Sequence, residues 1–176
     1  MKGNEFVAKY LPAAKEAAGS TGILPEVIVG AALLESGAGE SLLAKKYNNF
    51  FGVKPGKSWK GKTIDMRTKE FTGTPNEQTI TAKFRAYNSP VDSFRDYVSL
   101  LTTAKRYKDV AKETTIEGQA REIHEAGYST AANYSEKLAA LATQVRKLAP
   151  FVKKAVPVGA LLVLGAGAIY FTTRKK

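Results

Sequence analysis

The sequence predicts a mainly α, α+β fold: a helical lobe carrying a small antiparallel β lobe, followed by one C-terminal transmembrane helix. Three observations lead there. Apolar residues recur at helical spacing through most of the chain. Between Asn48 and Ala86 the pattern changes to short alternating runs among frequent Gly and Pro. The stretch 155–173 carries no charge at all. With 176 residues, 44% hydrophobic and 24% charged, the chain is long enough for one domain with its own core.

The first helix is expected over Glu5 to Ala18, capped by Asn4, ended by Gly19-Ser-Thr-Gly, and broken or kinked at Pro12. The second runs from Pro25, which suits a first helical turn, to Glu35. Ile28, Ala31, Ala32 and Glu35 share one of its faces, and Gly37 and Gly39 stop it. A third helix starts at Ser41 and continues to Tyr47. Two strands follow, Thr63-Ile-Asp-Met-Arg-Thr and Gln78-Thr-Ile-Thr-Ala-Lys-Phe-Arg, joined through Gly73-Thr-Pro-Asn. Period two puts Ile64, Met66, Thr68 and Glu70 on one side, with Arg67 and Lys69 on the other. Helices resume at Ser89-Pro-Val-Asp, an N-cap with Pro next and an acid three residues on. Phe94, Tyr97, Val98 and Leu101 form the stripe of that helix. Another helix follows Thr115 and closes at Gly127. The last carries Tyr134, Leu138, Leu141, Val145 and Leu148 on one side.

The domain is expected to span 1–150, with a basic linker at 151–154, the membrane anchor at 155–173 and a basic tail at 174–176. As a helix the uncharged run is about 28 Å long, close to a bilayer core. Lys153 and Lys154 flank one end, Arg174, Lys175 and Lys176 the other, and Tyr170 and Phe171 lie at belt positions. Basic flanks on both sides leave the orientation open. The first ten residues lack a long apolar stretch, so no signal peptide is expected.

Composition narrows the chemistry. There are no cysteines, which excludes disulfides, thiol catalysis and thiolate metal sites. The single histidine, His124, reads as solvated helix face beside Glu122 and Glu125, and one histidine supports neither a Ser-His-Asp triad nor a histidine zinc site. No metal or cofactor is expected. The net charge of +11 favours polyanionic partners. No basic helix or Gly-rich RNA-binding signature accompanies it, so nucleic acid is not expected.

Two carboxylates remain. Glu35 ends an apolar helix, where burial and the negative helix terminus both favour a retained proton, as a general acid needs near neutral pH. Glu70 stands on the β lobe. A cleft between a helical and a β lobe is a usual glycosidase arrangement for two acids. Other Asp and Glu residues have similar claims on charge alone. Trp59, the only tryptophan, lies in a Gly/Lys-rich loop near the Glu70 strand, as a sugar platform or as an anchor of the lobe.

Five ordered segments carry a resemblance. Leu33-Leu-Glu-Ser-Gly-Ala-Gly-Glu-Ser41, Asn48-Asn-Phe-Phe-Gly-Val-Lys54, Thr68-Lys-Glu-Phe71, Phe84-Arg-Ala-Tyr87 with Ser93-Phe-Arg-Asp-Tyr97, and Ala126-Gly-Tyr-Ser-Thr130 with Tyr134 after it resemble segments of glycoside hydrolase family 73. These are the peptidoglycan-cleaving β-N-acetylglucosaminidases of flagellar rod caps and of bacterial and phage autolysins. The likeness covers roughly residues 5 to 148 and implies a lysozyme-like fold. It implies that Glu35 is the general acid, Glu70 the second carboxylate and Tyr128 the tyrosine that orients or stabilises the reacting sugar. Asn49, Phe51 and Gly52 match the cleft wall. Ala38 stands where the family often has an aromatic residue, and Ser129 replaces an alanine.

The resulting expectation is a membrane-anchored endo-β-N-acetylglucosaminidase acting on peptidoglycan glycan strands. Its setting would be the internal membrane of a bacteriophage particle or the bacterial inner membrane. The alternatives are a lytic transglycosylase, which does not need Glu70, and a non-enzymatic virion or envelope protein that keeps the fold to bind glycan. Oligomeric state is left open.

Overall fold

The computed structural model describes residues 2–70 and 78–152. Helix α1 spans Gly3–Ala18, α2 Pro25–Ser36 and α3 Leu42–Tyr47. Strands β1, Thr63–Glu70, and β2, Gln78–Arg85, follow, then α4, Pro90–Thr103. Two 3-10 turns, Lys105–Tyr107 and Val110–Lys112, lead to α5, Ile116–Glu125, and α6, Tyr134–Leu148.

Helix α2 is the centre of the helical lobe. Val27 to Ala32 are all buried, so the helix is apolar on every side, the pattern of an element enclosed by others. It packs on α6 and α1, with α4 on α1 and α5 on α6. Gly30 sets the α2–α6 distance. A β-carbon there would lie 3.0 Å from the Ala142 nitrogen and 3.2 Å from its α-carbon, so the two backbones touch where no side chain fits. Phe6, Tyr10, Phe50 and Phe94 close the core on the α1 side, with ring centroids 4.5 to 6.1 Å apart.

Helix α1 begins two residues before the expected Glu5, at Gly3. Its N-cap is Lys2, not Asn4. Nor does Pro12 end it. Proline forfeits one hydrogen bond to the carbonyl four residues back, on Ala8. Ala8 is exposed, so water can satisfy that group, while Phe6, Val7, Leu11, Ala13 and Ala14 hold the helix on the core. Other helix-start signals match their elements, while the expected Gly73-Thr-Pro-Asn turn lies outside the described residues. Ser89 and Asp92 form a capping box with Pro90 in the first turn of α4, and Ser41 and Thr115 cap α3 and α5.

The two strands pair antiparallel from Thr63↔Arg85 to Glu70↔Gln78. Ile64, Met66 and Thr68 are half-buried and Thr63, Asp65 and Arg67 exposed, which is the alternation read from the sequence. The base of the hairpin is fastened to the helical lobe. Arg85 N–H donates to Val53 O, and Tyr87 N–H to Tyr47 O, both at 2.9 Å.

The expected transmembrane helix is corrected here. Among the described residues no helix is long and apolar enough to cross a membrane. The run 155–173, Lys153 and Lys154 of the linker, and the 174–176 tail lie outside the described residues. The fold is a mainly α, lysozyme-like lobe with a small two-stranded sheet.

Candidate active site

Glu35 occupies the last turn of α2, where the chain leaves the core. The turn after it is built by Ser36, Gly37, Ala38 and Gly39. Ser36 Oγ donates to Ala32 O and accepts from Gly39 N–H at 2.7 Å. Gly37, Ala38 and Gly39 all have positive φ, at 58°, 56° and 80°. Gly39 also lacks room for a side chain, since its β-carbon would lie 3.2 Å from the Phe6 ring. The acid is thus seated at a fixed depth by a turn keyed to the core.

Glu35 opens onto a cleft of about 510 Å³ whose walls include Phe51, Gly52, Lys54, Arg85, Arg106 and Tyr128. The residue is exposed on the cleft side and partly desolvated by the walls. Loss of water raises its pKa above the ordinary carboxylate value, and the Tyr134 hydroxyl partly offsets this by favouring the charged form. A carboxyl so placed keeps a proton to give at higher pH than a solvated one.

Tyr128 stands across the same cleft. Its hydroxyl donates to Phe51 O at 3.0 Å, which leaves the phenol oxygen as an acceptor. Burial holds its pKa well above the usual range, so it stays neutral. Phe51 stacks on Tyr97 at 4.1 Å with an interplanar angle of 2°, and Tyr97 meets Tyr128 edge-on at 5.6 Å.

The remaining expected site residues have separate places. Asn49 is buried behind the wall. Its amide nitrogen donates to Val53 O at 3.1 Å and Arg85 O at 2.8 Å, and its oxygen accepts from Phe51 and Val53 N–H at 3.3 and 3.1 Å. It shapes the wall and ties it to the hairpin rather than facing the cleft. Trp59 packs at the hairpin base. Its ring meets Tyr87 edge-on at 5.8 Å, carries the Arg85 guanidinium at 4.4 Å, and its Nε1–H donates to Lys62 O at 3.2 Å. It lines a second hollow of about 360 Å³ with Asp96, Ser99 and Thr103, adjoining the cleft through Arg85 and Leu100. Glu70 is the terminal residue of β1, paired with Gln78. Its side chain lies outside what the structure describes.

Other residues join the site that sequence spacing alone assigned to core or surface. Arg85 Nη1 donates to both Asp96 carboxylate oxygens at 2.7 Å, and the Tyr87 hydroxyl donates to Asp96 at 2.6 Å. Tyr97 and Tyr134 belong to helical stripes read as apolar, yet both hydroxyls fall within electrostatic reach of Glu35. The available signal was chemical: a tyrosine in a core stripe carries a hydroxyl that needs a partner. His124 is half-buried, not solvated, with its ring 5.8 Å from Tyr134.

A lysozyme-like helical lobe with a desolvated carboxyl on its cleft floor defines a glycoside hydrolase. The chain belongs to the glucosaminidase family, described as mannosyl-glycoprotein endo-beta-N-acetylglucosaminidase, whose profile matches residues 11–147. It is 34% identical over 154 residues to the peptidoglycan hydrolase FlgJ of Salmonella typhimurium, covering 85% of this chain and 48% of that protein. It is 35% identical over 124 residues to the exo-glucosaminidase LytG of Bacillus subtilis, covering 68% and 43%. The chain thus spans about half the length of the curated relatives it matches. Among solved structures, a peptidoglycan hydrolase from Sphingomonas sp. A1 superposes with a TM-score of 0.72 at 31% identity, over 87% of this chain and 97% of that one. The catalytic domain of the autolysin Auto from Listeria monocytogenes gives 0.73 at 26% identity, over 86% and 88%.

These relatives are bacterial proteins. The expected setting, an anchor in a phage or bacterial inner membrane, is withdrawn together with the lipid partner. No described helix supplies the span, and nothing in the comparisons points to a virus particle.

Proposed function

We propose that this domain hydrolyses β-1,4 glycosidic bonds in the glycan strands of peptidoglycan, as an endo-β-N-acetylglucosaminidase with Glu35 as general acid. The observation that carries the reading is the Glu35 carboxyl: seated by the Ser36–Gly39 turn, open to a cleft, and with its pKa raised by partial loss of water. The relatives named as peptidoglycan hydrolases support the substrate.

Glu35 gives its proton to the glycosidic oxygen as the C1–O bond breaks. Water adds to C1, and Glu70 takes the water's proton. Tyr128, its own proton held by Phe51 O, accepts from the N-acetyl N–H and steadies that group beside C1. Phe51 and Gly52 supply the wall, Asn49 keeps that wall in place, and Trp59 contacts the strand further along.

The test is mass spectrometry of a peptidoglycan digest after borohydride reduction. Reduced N-acetylglucosamine at the new ends is the expected product. Reduced N-acetylmuramic acid would reassign the bond, and anhydro-muramyl ends would make the domain a lytic transglycosylase.

A further inference from the structure

Three tyrosine hydroxyls around the cleft floor are buried and make no hydrogen bond of full geometry: Tyr97, Tyr107 and Tyr134. They come from three different elements, α4, the 3-10 turn after it, and the first turn of α6. All three rings surround Tyr128, at 5.6, 6.4 and 5.9 Å. Buried hydroxyls without partners are costly, and phenylalanine would fill the same volume without that cost. Three in one place call for a function. They gather on Tyr128, which lines the cleft with Glu35, and Tyr97 and Tyr134 are close enough for the Glu35 charge to act on them. Of the three, the Tyr134 hydroxyl is the one that favours the charged form of the Glu35 carboxyl, and it has no other partner to satisfy it.

We propose that Tyr134 is a positioning residue for proton transfer, holding the Glu35 carboxyl from behind, with the Tyr97 hydroxyl beside it. The proposal rests on the reading of Glu35 as the acid. While Glu35 is protonated, the Tyr134 contact is weak. As the proton leaves for the glycosidic oxygen, the carboxyl gains charge, and the O–H···O contact becomes charge-assisted and tightens. Tyr134 thus favours the state Glu35 reaches during the reaction over the state from which it starts. The phenols can serve because burial keeps them neutral, so their protons remain available to donate.

The groups facing Glu35 set the sign. Tyr97 comes from α4, Tyr128 from the segment after α5 and Tyr134 from α6, while Tyr107 of the 3-10 turn faces Arg106. The cations Lys54, Arg85 and Arg106 line the same cleft, and His124 of α5 lies behind Tyr134. Removing the Tyr134 hydroxyl withdraws a donor from the carboxylate and leaves the other groups in place. Glu35 must then hold its proton to higher pH.

Carbon NMR titration of the Glu35 carboxyl reads this without substrate, in wild type, Tyr134→Phe, Tyr97→Phe and His124→Gln. Tyr134→Phe keeps the ring against Tyr128 and His124. Its carboxyl midpoint should move to higher pH, the alkaline limb of kcat/KM should follow, and kcat should fall by about 10-fold with KM unchanged, the scale of one charge-assisted hydrogen bond. Tyr97→Phe should move the midpoint less, in the same direction, and His124→Gln not at all. A midpoint unmoved or lowered in Tyr134→Phe overturns the proposal. Should that variant not fold, an unmoved midpoint in Tyr97→Phe overturns it. Failure of the wild type to cleave glycan would instead sink the proposed function, and the titration would still decide the role of Tyr134.

Discussion

Glu35 ends a helix enclosed on every side, while Glu70 ends a strand whose hairpin is hydrogen-bonded to the helical lobe through its base. The first carboxylate inherits its position from the core: Gly30 against Ala142, Gly39 against Phe6, and the Ser36 turn. The second inherits its position from a two-stranded ladder tied down by Asn49, Arg85 and Tyr87. The proposed acid thus sits on an element packed between α1 and α6. The carboxylate proposed to act on water sits on a two-stranded hairpin joined to that lobe through its base.

The sharpest way to test that contrast is Glu35→Gln, which keeps size and removes the proton. Wall-lytic activity should fall by at least about 10²-fold, with the circular dichroism of wild type, and a zymogram band of normal strength would break the assignment. Asn49→Ala comes next. It strips four hydrogen bonds from the joint between wall and hairpin. A loss of about 3 kcal/mol is expected from the buried groups left unpaired, read by urea unfolding. Tyr128→Phe should cost about 1 kcal/mol of stability through the lost bond to Phe51 O and lower turnover by roughly 10-fold, about one hydrogen bond to the reacting sugar. Full activity in that variant would remove Tyr128 from the chemistry. Glu70→Gln should retain more activity than Glu35→Gln on the same substrate. A covalent sugar trapped on Glu70 would show instead that it attacks C1 directly.

The smallest effect concerns stability and runs opposite to activity. Desolvation raises the folded-state pKa of Glu35 above its unfolded value. Such a group contributes stability below the unfolded pKa and loses it as pH rises through the folded one. At neutral pH the wild type therefore carries a cost that Glu35→Gln lacks. Calorimetry should show the variant melting slightly higher at pH 7, with the difference shrinking toward pH 4. Equal melting temperatures at both pH values would mean that the carboxyl is not held away from water.

Much of the architecture was legible because it rests on local rules. Ser89 with Asp92 and Pro90 marks a helix start, and the alternation of Ile64, Met66 and Thr68 marks a strand with one covered face. Glu35 at the end of an apolar run was legible for the same reason. Pro12 misled because the signal for breaking a helix is local, whereas the burial that overrides it is tertiary. Tyr97, Tyr107 and Tyr134 were hidden differently. Periodicity reports which face is covered, not which atoms meet beneath it, and three hydroxyls from separate elements converge only in the folded chain. Asn49 was placed at the wall, but its double grip on Val53 and Arg85 links residues far apart in sequence. The uncharged run 155–173 gave a strong compositional signal for a membrane helix, and the described residues supply no such helix.

The hairpin joint has a mechanical consequence. With Asn49 and Arg85 as fulcrum, β1 is a lever arm of roughly 23 Å from Thr63 to Glu70, at about 3.3 Å per residue. A tilt of only about 10° at the fulcrum carries the Glu70 backbone by roughly 4 Å on that arm. The Asp96 carboxylate grips Arg85 and Tyr87 at the pivot, and the Trp59 ring lies 4.4 Å from the guanidinium. The packing around Arg85 thus fixes the angle of the arm, and with it the backbone position of Glu70.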